Sequence, residues 1–354
     1  MSKKSIAVVG AGVYGLYSAL ILAEAGHEVQ IFEKAPMPVS KASLLNQSRI
    51  HCGLHYPRAL RTAARCQKNY LRFKNDFKNS IHENFVSIYA IAINGQVTSS
   101  KFERFADLLD IRIKKDENLR KKGFNSRLVS AVYEVEEVAY DANILREELM
   151  SITNELGVKF NFNIMVKNIR ITKNGNNEQC EIDISGHLEK FDLCINATYG
   201  ELRVNSEGKL KYEVCELMRV KLENEIKDLA VTVVDGPFWS LTPWPAFTSS
   251  ILTHVKFTPI ANFQSYQLAL DFLGARQHQT QFDLVKRDVI RYFPAGEGIT
   301  HIGSEYSIKT ILGLNEYNDA RPIIIDRTGP VLSVIGSKID NIYDIEEEIL
   351  NFAN

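Results

Sequence analysis

The chain has 354 residues, 45% hydrophobic and 24% charged, with a formal net charge of −1. That is enough for about two domains with a sizeable core, and the composition excludes collagen, coiled coil and a disordered tail. A near-neutral balance argues against a dedicated nucleic-acid binder. No apolar run approaches the roughly 18 residues of a membrane span. The basic start is followed only by the short run Ile6–Val9, too brief for a signal-peptide core. Five cysteines without a C-x-x-C pair suit reduced thiols in a cytoplasmic setting, with no metal site expected.

Ile6-Ala7-Val8-Val9 reads as a buried strand. It enters Gly10-Ala11-Gly12-Val13-Tyr14-Gly15, a G-x-G-x-x-G, and helical spacing follows in Tyr17, Leu20 and Leu22. Gly26 stops that helix; Val29, Ile31 and Phe32 form a second strand ending at Glu33, and Lys34 after it is a further cofactor-binding candidate. The first glycine serves the tight turn, the second the approach of a pyrophosphate, the third close helix–strand packing. The helix N-terminus favours phosphates. Glu33 stands where a carboxylate accepts from ribose hydroxyls. Such a unit binds NAD(P) or FAD. A nicotinamide dehydrogenase would usually continue into another helix and strand, whereas here Ala35-Pro36-Met37-Pro38 is loop chemistry.

The following polar segment includes Ser43, Asn46, Gln47, Ser48, Arg49, Ile50, His51, Cys52, Gly53, His55 and Tyr56. With the fingerprint before it, this stretch resembles the FAD-dependent oxidoreductases of the D-amino-acid-oxidase fold. Its pattern is closest to the 2-hydroxyglutarate and glycerol-3-phosphate dehydrogenase branches, where an Asn-Ser-x-x-Ile-His-x-Gly-x-x-Tyr stretch lines the flavin ring. Asn46, Ile50, His51, Gly53 and Tyr56 match, and Gln47 replaces the serine.

Further along, helices are expected over Ala59–Phe77 and Phe102–Leu109, and a strand over Phe85–Ile93. Lys114–Lys122 reads as a charged, solvated stretch. Asp141 caps a helix carrying Leu145, Leu149, Ile152 and Leu156, and Gly157 ends it. Val158, Phe160 and Phe162 alternate as a strand. A hairpin turns at Asn174–Asn177, and Phe191–Asn196 returns as one strand into Ala197-Thr198-Tyr199-Gly200. The resemblance implies that Val166 meets the adenine and that Ala197 returns to the dinucleotide. Aromatic strands at Phe238–Trp244 and Ile251–Val255 and a helix or two between Tyr266 and Phe293 follow. Val331–Ile335 reads as a buried strand, and Ile342, Ile345, Ile349 and Phe352 mark a final helix. Between them, Gly336, Ser337, Lys338, Ile339 and Asp340 resemble the family's Gly-Gly-Lys-x-Thr turn, and the resemblance implies that they touch the flavin.

The expected architecture is α/β, α+β overall: a Rossmann-like FAD-binding domain with a parallel sheet, and a substrate domain with a mixed or antiparallel sheet. The first takes residues 1–85, 138–205 and 305–354; the second takes 86–137 and 206–304. The expected activity is hydride transfer from a C–H beside N or O to flavin N5. An alcohol substrate then needs a base, for which His51 and His55 are the candidates; His51 also raises covalent flavin attachment. Arg49, Arg58 and Arg321, the last in an Arg-Pro pair like the family's, suit a bidentate clamp on an anionic small molecule. Tyr56 and His254 complete the substrate candidates. A nicotinamide-dependent dehydrogenase and a flavin-binding protein without catalysis remain as alternatives.

Overall fold

In the computed structural model, which describes residues 2–175, 177–204, 210–223, 225–275, 279–312, 323–336 and 338–354, Ile6 to Val9 are buried to 4% exposure or less. That suits an inner strand covered on both faces. This strand, β1 (Ser5–Val9), turns through the glycine loop into α1 (Val13–Glu24) and returns as β2 (Glu28–Glu33). The sheet holding them has six strands among the described residues, in the order Ile324–Thr328, Val331–Ile335, Leu193–Asn196, β1, β2, Lys159–Phe162. All neighbours are parallel except the first two, which form an edge hairpin. The neighbour that β2 gains, Lys159–Phe162, thus comes from far down the chain, which agrees with the loop chemistry read after Lys34.

One face of this sheet receives α1, the helix Ala142–Glu155 and the C-terminal helix Glu346–Ala353. The other receives an antiparallel meander, Val166–Asn174, Asn177–Ile184 and His187–Phe191. Its Ile169, Cys180, Ile182 and Phe191 pack on Ala7, Val9 and Phe32.

A second sheet has nine strands among the described residues. Its spatial order runs Pro259–Phe263, Leu210–Lys221, Ser249–His254, Trp239–Trp244, Leu229–Val234, Val86–Ala92, Val129–Val135, Ile113–Lys115, with Thr300–Leu312 also on Leu210–Lys221. Of these pairs, only Leu229–Val234 and Val86–Ala92 run in parallel, so the sheet is mixed. Helix Phe282–Tyr292 covers one of its faces through Phe282, Val285, Val289 and Tyr292. The opposite face looks toward the loop that follows residue 43. A small sheet of Arg49–Ile50, Val138–Tyr140 and Ile81–His82 bridges the two.

Four details differ from expectation. Phe191–Asn196 is two strands: the Asp192 carboxylate accepts from the Ser5 amide and hydroxyl, both at 2.8 Å, and breaks the run between the meander and the parallel sheet. The charged stretch at Lys114–Lys122 is ordered into the strand Ile113–Lys115 and the helix Glu117–Gly123, because Asp116 caps that helix by accepting from the Leu119 amide at 2.8 Å. The last helix begins as a 3₁₀ segment, Asp340–Ile345, before Glu346–Ala353. The boundary expected at residue 305 falls inside Thr300–Leu312, which pairs with Leu210–Lys221 from end to end.

Asp141 caps as its position suggests. Its Oδ1 accepts from the amides of Asn143 and Ile144 at 2.8 and 3.4 Å, and Gly157 beyond the helix has φ +77°. Asp141→Ala is expected to cost ~1 kcal/mol, seen as a lower urea midpoint with unchanged slope.

Candidate functional site

The glycine loop divides into packing and opening. Gly10 has φ +98°, and a Cβ there would lie 2.7 Å from the Ala197 carbonyl oxygen. A Cβ on Gly15 would lie 1.9 Å from the Gly10 carbonyl oxygen. Gly12 has an ordinary φ of −67°, and its Cβ would meet only Ser43 Oγ, at 3.3 Å. Space therefore lies above Gly12, at a helix N-terminus that favours negative charge. Ser43 Oγ accepts from the Val13 amide at 3.1 Å. Glu33 accepts from the Ala11 amide at 2.7 Å and the Ala35 amide at 2.8 Å; each oxygen keeps a second lone pair for a ribose hydroxyl. Lys34 is engaged by Glu201, with Nζ 2.5 Å from both carboxylate oxygens. Val166 packs beside Val9 and Phe32. The Ala197 amide donates to the Val9 carbonyl at 2.9 Å.

Tyr14 joins this loop to the C-terminal turn. Its hydroxyl donates to the Lys338 carbonyl at 2.6 Å. Its ring lies so close over Gly336 that a Cβ there would sit 1.7 Å from Tyr14 Cζ. Ile339 packs against the core beneath. Asp340 and Asn341 follow, buried, with Asp340 Oδ2 and Asn341 Oδ1 lacking a hydrogen-bond partner among the described residues. Burial pushes the Asp340 carboxyl up to about 6, against the opposing pull of Lys338. Ser337 and Arg321 lie outside the described residues.

The loop after Ser43 is tied down from both sides. Asn46 Nδ2 donates to the carbonyls of Ala42 and Ser43 at 2.9 Å, and its Oδ1 accepts from the Ser48 amide at 2.7 Å. Gln47 Nε2 donates to Thr253 Oγ1 at 2.7 Å, and Thr242 Oγ1 donates to the Gln47 carbonyl at 3.2 Å. Ser48 is fully buried, its hydroxyl unpartnered among the described residues. His51 and His55 stack with ring centroids 4.4 Å apart, and Tyr56 meets both edge-on at 5.7 and 5.0 Å. Lys338 Nζ lies 3.6 Å from the Tyr56 ring centroid and 2.6 Å from Cys66 Sγ. The geometry thus brings His51, His55, Tyr56 and Lys338 together.

Arg49 is buried and is not open to a substrate anion. Its Nη1 donates to Thr232 Oγ1 at 2.7 Å and its Nη2 to the Tyr89 hydroxyl at 2.9 Å, while Nη2 also pairs with Glu137 Oε2. The candidate clamp is an internal ion pair. Glu137 Oε1 accepts from the Tyr89 hydroxyl at 2.9 Å and from the Cys52 amide at 3.3 Å, and His51 Nδ1 lies 3.3 Å away. Arg58, exposed in part, pairs with Asp235. His254 is also placed elsewhere. Tyr89, Thr232, Ser240 and Thr253 are register neighbours across adjacent strands. Three of them touch the loop at Gln47 or Arg49. Side chains alternate along a strand, so His254, next to Thr253, projects to the far face. There its Nε2 lies 3.3 Å from Asp288 Oδ2 on the covering helix.

Glu137, Tyr89, Thr232 and Cys66 carry this site although no sequence motif marks them. For Glu137 the only local signal is an acid between two strongly apolar strands, Val129–Val135 and Val138–Tyr140.

Burial raises the Glu137 carboxyl, yet Arg49 and the His51 hydrogen bond hold it well below the carboxylate range. Burial lowers His51 to about 4, against the pull of Glu137. Burial, then His51 and Arg49, push His55 well below the usual histidine range. Both imidazoles are neutral at neutral pH. A histidine lowered from 6.5 in the unfolded chain to about 4 when folded stabilises fully above pH 6.5, and the contribution is lost as pH falls through about 4, worth about 3 kcal/mol for His51. Urea denaturation across that window is expected to show falling stability, with a shallower fall in His51→Asn.

Residues 5–333 match the family described as FAD dependent oxidoreductase. An FAD-dependent monooxygenase of Fusarium mangiferae is 27% identical over 99% of this chain and 91% of its own length. The L-alpha-glycerophosphate oxidase of Mycoplasma pneumoniae, solved with FAD bound, superposes with a TM-score of 0.72 at 16% identity, covering 99% of this chain and 95% of that one. The L-proline dehydrogenase of P. horikoshii gives 0.71 at 13% identity, over 100% and 94%. These two likenesses describe the fold. The residues present fit the cofactor: open space above Gly12, spare lone pairs on Glu33, and buried atoms at Ser48, Asp340 and Asn341 without partners among the described residues. The chain therefore belongs to the FAD-dependent oxidoreductases of the D-amino-acid-oxidase fold, and its cofactor is FAD.

Proposed function

We propose that the enzyme oxidises a small molecule at a C–H beside nitrogen or oxygen, an amino acid, hydroxy acid or related sugar or phosphate compound, with His51 as the base. The observation that carries this reading is the stacked, neutral His51–His55 pair beside Tyr56 and Lys338. FAD, when bound, supplies the hydride acceptor. The residues 10–15 turn holds the pyrophosphate, Glu33 the ribose, Val166 and Ala197 the adenine side, and residues 43–48 and 336–340 the flavin. His51 takes the proton of a substrate hydroxyl, or its neighbourhood excludes water around a neutral amine. Lys338, a half-buried cation whose charge Tyr56, Cys66 and Asp340 favour against burial, attracts an anionic group; Arg321 is a second candidate for that role. On this reading residues 1–85, 138–205 and the chain beyond Thr300–Leu312 bind the cofactor, and the nine-stranded sheet roofs the substrate.

The test is an anaerobic screen of amino acids, hydroxy acids and phosphate or sugar compounds for bleaching of the bound flavin. One class is expected to bleach it. His51→Asn should keep FAD and slow that bleaching by roughly 100-fold or more; an unchanged rate rejects His51 as the base. The monooxygenase activity of the Fusarium relative favours a second reading, oxygen transfer. Label from isotopic O₂ appearing in the product would select it.

A further inference from the structure

We propose that Glu137 is a positioning residue for this reaction: it accepts Nδ1–H of His51 and so leaves Nε2 as the nitrogen that takes the substrate proton. The inference rests on the reading of His51 as base, but its own content is where one proton sits.

Glu137 joins no cofactor-type motif, yet its carboxylate is surrounded by four donor residues from two stretches of the chain. Arg49 comes from the small bridging sheet, Tyr89 from the large sheet, and Cys52 and His51 from the loop. Thr232, on the strand next to Tyr89, holds the other arm of Arg49. The remaining charged or titratable neighbours of the imidazole are His55, Tyr56 and Lys338. A carboxylate so paired stays ionised and can only accept. A neutral imidazole has one N–H and one lone pair. With Nδ1 facing Glu137 Oε1 at 3.3 Å, the tautomer with its lone pair on Nδ1 sets two lone pairs against each other. The other tautomer makes a charge-assisted hydrogen bond. His51 is thereby fixed in rotation as well as in protonation, and its side chain keeps 10% exposure, so the ring remains reachable.

A purely structural Arg49–Glu137 pair would predict nothing about the ring proton, which allows a direct test. The FAD-bound protein is labelled with ¹⁵N-histidine, and the His51 signals are assigned by their loss in His51→Asn. The expected spectrum has a protonated Nδ1 and an unprotonated Nε2 at neutral pH. Arg49 has only donors and faces the other oxygen position, so the amide of Glu137→Gln turns its C=O to Arg49 and its NH2 to the ring; this should move population toward Nε2–H, and Glu137→Asp should move it back. With whichever compound bleaches the flavin, Glu137→Gln should lose roughly 100-fold in bleaching rate while retaining FAD. Nε2–H in the wild type overturns the proposal, and so does an unchanged tautomer in folded, FAD-bound Glu137→Gln. If Glu137→Gln fails to fold, the wild-type spectrum still decides. The two readings fail separately: normal bleaching in His51→Asn removes the base role, whereas a protonated Nε2 removes only the role of Glu137.

Discussion

Gly15→Ala is expected to yield colourless protein that melts well below the wild type, whereas Gly12→Ala should fold normally and fail only in holding FAD. The two glycines lie three residues apart in the same fingerprint, but their surroundings differ. A methyl added at Gly15 would sit 1.9 Å from the Gly10 carbonyl oxygen. Real Cβ atoms essentially never approach within 3.0 Å of a heavy atom. The obstacle is backbone, held where Gly10 N donates to the Phe32 carbonyl at 2.8 Å, so α1 must move off β1. That costs more than about 3 kcal/mol, at or beyond the upper end of ordinary overpacking. At Gly12 the backbone is ordinary and the nearest atom is a serine hydroxyl that can rotate. A methyl there intrudes only on the space above the helix N-terminus. The measurements are flavin absorbance per chain and thermal unfolding of the same preparations, with and without added FAD. Wild-type melting and full FAD content in Gly15→Ala would contradict the steric assignment.

Arg49→Met is the second large effect. It removes the cation from a pair whose side chains are 4% and 1% exposed, leaving Glu137 a buried carboxylate without its counter-charge. Breaking such a pair from one side costs about 3–5 kcal/mol. Glu137→Leu should cost as much, because the guanidinium is then left without its counter-charge. The double variant Arg49→Met/Glu137→Leu removes both charges and should recover most of the loss. Urea denaturation of the four proteins gives the coupling directly. Additive losses would mean that the two residues act independently, against the geometry. The double variant should still lack turnover if Glu137 positions His51, which separates stability from chemistry.

Sequence legibility follows the range of the interactions. The fingerprint, the Asp141 cap and Gly157 are local, decided within a few residues, and all can be read along the chain. So can the departure of the chain after Lys34. Glu137 cannot, because its partners Arg49, Tyr89 and His51 stand 88, 48 and 86 residues away. Nothing local distinguishes it from Glu136, which the fold leaves exposed. Arg49 resembles an anion clamp for the same reason, since a loop arginine shows its charge but not its partner. His254 fails differently. Its strand is evident, but which parity faces the loop depends on Thr253 meeting Gln47 across the fold. Lys114–Lys122 is obscured by its own charge, which outweighs the single capping signal of Asp116.

The six-stranded sheet bears on the order in which this molecule is made. The two neighbours of β1 are drawn from residues 28–33 and 193–196, and the strand beyond the second of them from residues 331–335. Of these three pairings, only β1–β2 is close in sequence. During synthesis the glycine loop can form early, but its sheet stays open at one edge until residues 331–335 have emerged. Non-local parallel pairing is slow and leaves unpaired strand edges exposed to neighbouring chains. Leu193–Asn196 is buried along its whole length once folded, so it spends that interval with one backbone edge unpaired. Recovery after dilution from urea should therefore depend on protein concentration more steeply than activity of the finished enzyme does, and free FAD present during refolding should raise the yield by capturing the closed sheet.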